Sequence, residues 1–149
     1  MIQRLGITSV DPDLLAGILA SAAASPSARG HNIGGWRSAN DFVSWPSAVG
    51  TISQIEAAVG SRILQVWAVV HREGSFHDWH THAGSVRSGI CYLTASDAAT
   101  VLRDAQGERR VVPEIGLMVV FPGNLAHRSE PQHGPDPRVT IAFNLRAMS

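Results

Sequence analysis

Apolar positions along this chain follow two different rhythms. Within residues 1–62, Leu14, Leu15, Ile18 and Leu19 recur at helical spacing. They follow Asp11-Pro12-Asp13, where a side-chain cap, a proline in the first turn and an acid near the positive end of the helix dipole mark a start. Ser25-Pro26-Ser27 closes that segment. A second helix is predicted over residues 47–59, with Val49, Ile52, Ile55, Glu56 and Val59 in phase and Gly60 as the stop. Between the two, residues 31–40 (HNIGGWRSAN) are glycine-rich and polar and predict a loop.

From Ile63 the rhythm shortens. β-Branched and aromatic runs at 63–71, 88–94, 100–103, 109–112, 117–121 and 138–145 alternate with turn residues. Ala105-Gln106-Gly107-Glu108 suits a hairpin between two of them. Such even spacing predicts a mainly β jelly roll or barrel-like sandwich, with the two N-terminal helices packed outside it. At 149 residues the chain is expected to form a single domain, with 1–62 as a helical and loop part and 63–149 as the β core.

Composition narrows the chemistry. All twelve basic residues are arginine, and the lack of lysine excludes a Schiff-base mechanism, a pyridoxal-phosphate lysine and a phosphate-loop lysine. Formal net charge is zero and only Arg109 and Arg110 are adjacent, so no nucleic-acid partner is expected. No apolar run approaches the ~18 residues of a membrane span, and a cytoplasmic protein is the expectation. The single cysteine, Cys91, sits in an apolar run and reads as a buried structural thiol.

Four of the seven histidines fall between positions 71 and 82. His80-Thr81-His82 places two imidazoles at i and i+2, which on a strand face the same way, roughly 7 Å apart at Cα. Two ligands of one metal need that arrangement. His127, after the strand-and-turn run from Gly116 through Pro122-Gly123, is the candidate third ligand. Neutral imidazole suits Fe, Zn, Cu or Ni, so the ligand type leaves the metal open. Asp78 stands as an alternative ligand, with His82 then in support of the site.

Gly74 followed by His80-x-His82, and Gly116 followed by Pro122 and His127, resemble the two cupin motifs. Two positions depart from that pattern: Val86 and Arg87 stand where a glutamate is expected, and Asn124 replaces a glycine. The chain is more similar still to the iron- and 2-oxoglutarate-dependent oxygenases. Their distal histidine is followed about ten residues on by Arg-x-Ser/Thr, and here Arg138-Val139-Thr140 follows His127. Likeness to a group of small bacterial members also runs through Gly34-Gly35-Trp36-Arg37-Ser38, residues 88–92, 121–127 and 138–144. Where the superfamily carries Asp or Glu in His-x-Asp/Glu, this chain has His82.

That resemblance implies a double-stranded β-helix, Fe(II) held by His80, His82 and His127, and 2-oxoglutarate as cosubstrate with its far carboxylate on Arg138 and Thr140. Tyr92 and Asn144 are further candidates facing the cosubstrate; for Tyr92 the alternative is a core aromatic with a satisfied hydroxyl. Asn32, Gly35, Trp36 and Arg37 are candidate substrate-binding residues, the alternative being a connector whose Trp36 plugs the core. The implied activity is oxidation of a C–H bond in a small molecule, in a pocket left open or completed by a second copy in a homodimer. A three-histidine cupin dioxygenase or isomerase, and a non-catalytic metal- or ligand-binding relative, are the competing expectations.

Overall fold

The computed structural model describes residues 2–28, 32–82 and 86–146. Two helices are present, α1 (Pro12–Ala24) and α2 (Val49–Val59). As the sequence predicts, the Asp11 side chain caps α1 by accepting from the Asp13 amide, and Gly60 ends α2 in the left-handed conformation. Short 3-10 turns at Asn40–Ser44 and Pro46–Ala48 lead into α2, which therefore begins two residues later than its pattern suggests. Among the described residues no helix is long and apolar enough to cross a membrane.

Eleven strands complete the described fold: β1 (Gln3–Gly6), β2 (Asn32–Ile33), β3 (Trp36–Arg37), β4 (Ile63–His71), β5 (Phe76–His80), β6 (Val86–Tyr92), β7 (Thr100–Asp104), β8 (Gly107–Val111), β9 (Leu117–Pro122), β10 (Ala126–Ser129) and β11 (Arg138–Arg146). They form two antiparallel sheets, a six-stranded one in the order β1-β9-β6-β11-β4-β3 and a five-stranded one in the order β2-β5-β10-β7-β8. Two facing sheets of this kind make the predicted jelly roll.

The segment predicted as a loop over 31–40 instead supplies an edge strand to each sheet; His31 lies outside the described residues. Backbone pairing outweighs the glycine signal there, because Ser38 clamps the edge: its amide donates to Ala68 O and its Oγ accepts from the Ala68 amide, both at 2.9 Å. β1 and β10 carry no strand signature in the sequence, and β5 carries one only at its His80 end. They are short, half-exposed and rich in polar residues, so they lack the apolar alternation that marks a strand.

Alternation along the two central strands divides the molecule. Val139, Ile141, Phe143 and Leu145 of β11, with Val66, Ala68 and Val70 of β4, face outward and pack against Leu14, Ile18, Ile52 and Ile55 of the helices. That burial closes one face of the large sheet with mainly apolar side chains. The opposite faces of β4, β6 and β11 look toward the small sheet. Towards one side of that inner layer, Tyr92, Leu102, Val111, Val119 and Phe121 form a second, smaller apolar cluster. Elsewhere in the layer the lining turns polar and contains the histidines.

Candidate metal centre

His80 and His127 come from neighbouring strands of the small sheet. They are direct cross-strand partners in the β5–β10 pair, and their ring centroids lie 4.0 Å apart. His82 is not on a strand, contrary to the expectation of a regular His-x-His pair: β5 stops at His80. Its position is set from the turn that precedes His127, since the His82 amide donates to Gly123 O at 2.6 Å. The Pro122-Gly123 turn thus fixes two ligand candidates at once, one by the strand it launches and one by this bond. The His82 ring centroid lies 5.3 Å from that of His80 and 5.2 Å from that of His127. One ligating nitrogen of each ring falls within 4.8 Å of the other two.

Hydrogen bonds fix two of the tautomers. His80 Nδ1–H donates to Asp78 O at 2.7 Å, and His127 Nδ1–H donates to Leu125 O at 2.9 Å. A carbonyl can only accept, so each Nδ1 carries the proton and each Nε2 keeps its lone pair. Backbone support of this kind is the usual way a ligating imidazole is oriented. His127 is 4% exposed, and burial first, then the neighbouring His80, hold its pKa down to about 3. It is therefore neutral, as a ligand must be. Three neutral nitrogens at this spacing fit a divalent transition metal. Asp78, the alternative ligand, is not part of the group; its Oδ1 instead accepts from the Trp79 amide at 2.8 Å.

A register shift explains why Asp78 turns away. His127 pairs with His80 but Ser129 pairs with His77, so two steps on β10 oppose three on β5. This bulge breaks the parity of β5 and brings His77 and His80 to the same side, stacked with centroids 3.7 Å apart. His77 thereby joins the cavity, a placement that simple alternation does not predict.

Across the cavity, the large sheet presents Arg138 and Thr140 from the inner face of β11. Arg138 is 2% exposed, and burial lowers its pKa only to about 10, so it stays cationic at neutral pH. Nη1 donates to Ala98 O at 2.9 Å and Nη2 donates to His71 Nδ1. Nε is buried with no hydrogen-bond partner. Among the described residues Arg138 makes no ion pair with a carboxylate, and no Asp or Glu lines the cavity.

The other predicted residues are placed unevenly. Tyr92 faces the inner layer, but its hydroxyl is 2.5 Å from Thr100 Oγ1 and it packs in the smaller apolar cluster; Thr100, not Tyr92, reaches the cavity. Asn144 shares the face of Arg138 but lies further along β11, accepting from Ser88 Oγ at 2.9 Å and donating to Gln65 at 3.0 Å. Trp36 is not at the cavity. It is buried in the core under the helices, because position 36 of β3 shares the outward parity of Val70. Arg37 points the other way and stacks over Trp67, 4.2 Å from the ring centroid. Trp67 lines the cavity, with its ring 6.4 Å from that of His82. Asn32 pairs through its backbone with His77 at the sheet edge, and Gly35 abuts His71. His71, Thr100 and Ser129 are cavity residues that the sequence did not single out as binding groups.

No family model and no curated protein matches this chain. Solved structures share its fold over nearly its whole length. A prolyl-4-hydroxylase from Pseudomonas putida superposes with a TM-score of 0.68 at 17% identity, covering 99% of this chain and 93% of that one. A prolyl hydroxylase from Trichoplax adhaerens, solved with a hypoxia inducible factor peptide fragment, gives 0.76 at 10% identity over 97% and 83%. HygX from Streptomyces hygroscopicus, solved with nickel and 2-oxoglutarate bound, gives 0.70 at 8% identity over 99% and 83%. At these identities the likeness establishes the fold.

Proposed function

We propose that this chain, which shares its fold with the iron- and 2-oxoglutarate-dependent oxygenases, is itself an Fe(II)/2-oxoglutarate-dependent oxygenase acting on a small molecule. The observation that carries this reading is the pairing of a three-imidazole centre with a buried, carboxylate-free arginine across one cavity. His80, His82 and His127 would hold the metal. With 2-oxoglutarate bound, Fe(II) supplies oxidation of a substrate C–H bond by dioxygen, coupled to decarboxylation of the cosubstrate to succinate.

The chain's own residues provide charge and direction. A divalent ion with three neutral ligands carries its full charge, and Arg138 adds another, with no Asp or Glu among the described residues that line the cavity. A small dianion answers that field, and a guanidinium recognises a carboxylate through paired, charge-assisted hydrogen bonds. Arg138 Nε is buried without a hydrogen-bond partner, which leaves a donor of this guanidinium uncommitted, and Thr140, two residues on and on the same face, adds a hydroxyl. The apolar walls from Val69, Ile90 and Phe121 keep the remainder dry, which strengthens each of these contacts.

The test is anaerobic calorimetry of the Fe(II)-loaded protein with 2-oxoglutarate, followed by succinate detection in air. Binding that disappears in Arg138→Ala, together with succinate formation, supports the proposal; metal-loaded protein that binds no 2-oxoglutarate overturns it. One feature favours a second reading, a three-histidine metalloenzyme that takes its substrate directly on the metal: the absence of a carboxylate from the ligand group. Under that reading Arg138→Ala leaves binding of a metal-chelating substrate intact.

A further inference from the structure

We propose that His71 and Gly35 form a brace that orients the Arg138 guanidinium while leaving its charge uncancelled, which makes His71 a positioning residue for anion capture. This rests on the reading of Arg138 as the carboxylate anchor.

His71 ends β4 and is the direct cross-strand partner of Arg138 at the start of β11. Both are 2% exposed. Arg138 Nη2 donates to His71 Nδ1, and since a guanidinium has no acceptor, the ring nitrogen must be the acceptor. His71 is therefore a neutral imidazole with its proton on Nε2. Its burial and the adjacent Arg138 charge both favour that state, holding its pKa down to about 3. The Ala98 carbonyl takes Nη1, so two neutral acceptors hold the guanidinium and Nε is left for a ligand.

The choice of acceptor has a physical consequence. A carboxylate at position 71 would orient the arginine equally well but would form an ion pair and cancel the charge an incoming anion needs. A neutral imidazole orients without cancelling. Gly35 makes room for it: a Cβ there would stand 2.6 Å from His71 Cδ2 and 3.1 Å from Nε2, closer than the ring can accept. The adjoining β3 holds this backbone in place, since Trp36 pairs with Val70, the neighbour of His71. Gly35 thus serves the site as the wall behind His71, and its lack of a side chain is the feature that matters.

The experiment is calorimetric titration of the Ni(II)-loaded protein with 2-oxoglutarate for wild type, His71→Asn, His71→Leu, His71→Asp and Gly35→Ala, with the metal affinity and melting temperature of each. His71→Leu removes the acceptor and should raise the 2-oxoglutarate Kd about ten- to hundredfold, the scale of one hydrogen bond to a charged group. His71→Asn restores a neutral acceptor and should return Kd to within about threefold of wild type. His71→Asp should bind the anion as poorly as Leu although its acceptor is present, and Gly35→Ala should resemble Leu. Metal affinity should be unchanged in all of them, because the ligands are untouched. Wild-type binding with Leu or Asp indistinguishable from wild type overturns the brace alone. Equal losses in Asn, Leu and Asp, with metal affinity falling too, show a merely structural residue and also overturn it. A wild-type protein that binds no 2-oxoglutarate overturns the parent reading and the brace together.

Discussion

Adding one methyl group at position 89 should destabilise this fold severely, while the same addition at position 50 should not. Gly89 lies on β6 directly opposite Phe143 of β11, and a Cβ built there would meet the phenyl ring at 2.2 Å. Carbon atoms are comfortable at about 3.5–4.0 Å, so the ring would have to retreat by roughly 1.3 Å or more. It has nowhere to go, being 1% exposed and packed among the residues that hold the helices to the large sheet. Overpacking of a rigid core costs about 1–3 kcal/mol, and an overlap this deep belongs at the upper end. For a chain of this length about 3 kcal/mol lowers the melting temperature by roughly 6–12 °C. Gly50 is the matched control. It lies within α2 and a Cβ there meets nothing within 4 Å, so Gly50→Ala should add up to about 1 kcal/mol through helix propensity. The assay is thermal denaturation of both variants, with Gly89→Ala/Phe143→Leu as the double mutant. Relief of strain in the double should appear as a favourable coupling energy. A Gly89→Ala protein melting within a degree or so of wild type would refute the reasoning, as would equal losses at both glycines.

Loss of one ligand from the metal centre, in His80→Ala or His127→Ala, should weaken divalent-metal binding by more than the roughly ten- to hundredfold typical of residues that merely support a site, measured by competition with a chelator. The metal-free protein should lose stability in acid. His71 and His127 are held at about 3 in the fold against 6.5 unperturbed, so between those values the unfolded chain binds more protons and stability falls with pH. The contribution is complete above pH ~6.5 and declines by roughly 1.4 kcal/mol per pH unit for each histidine; urea midpoints that stay level from pH 7.5 to 5 would contradict this. Tyr92 is the chain's one tyrosine, and burial pushes its pKa up to about 12, so tyrosinate absorbance should be absent near pH 10.5 in the folded protein and appear there on denaturation.

How much of this was legible depended on whether a residue obeys the local periodicity of its segment. The central strands declared themselves through β-branched runs, and their alternation correctly sets Arg138 and Thr140 against Val139 and Ile141. The three histidines stood out by spacing and type, and the structure groups their nitrogens. What stayed hidden were features with no one-dimensional signature. The bulge in β5 admits His77 and expels Asp78, and no residue of that strand announces it. Trp36 and Arg37 share one polar segment, yet a two-residue strand sends the first to the core and the second towards Trp67. Gly35 resembled a ligand-approach glycine, whereas its neighbour is His71, which only the β3–β4 pairing brings near.

The metal candidates and the arginine belong to opposite halves of the sandwich: His80 and His127 ride on the five-stranded sheet, Arg138 on the six-stranded one. A molecule gripped at both ends is then a strut between two walls, and the gap between the walls gauges its length. Tightening or loosening the apolar spacers Leu102, Val119 and Phe121 would recalibrate that gauge without touching any binding group. The same strut should rivet the halves together, so that metal and dianion jointly protect the fold from heat by more than their separate effects combined.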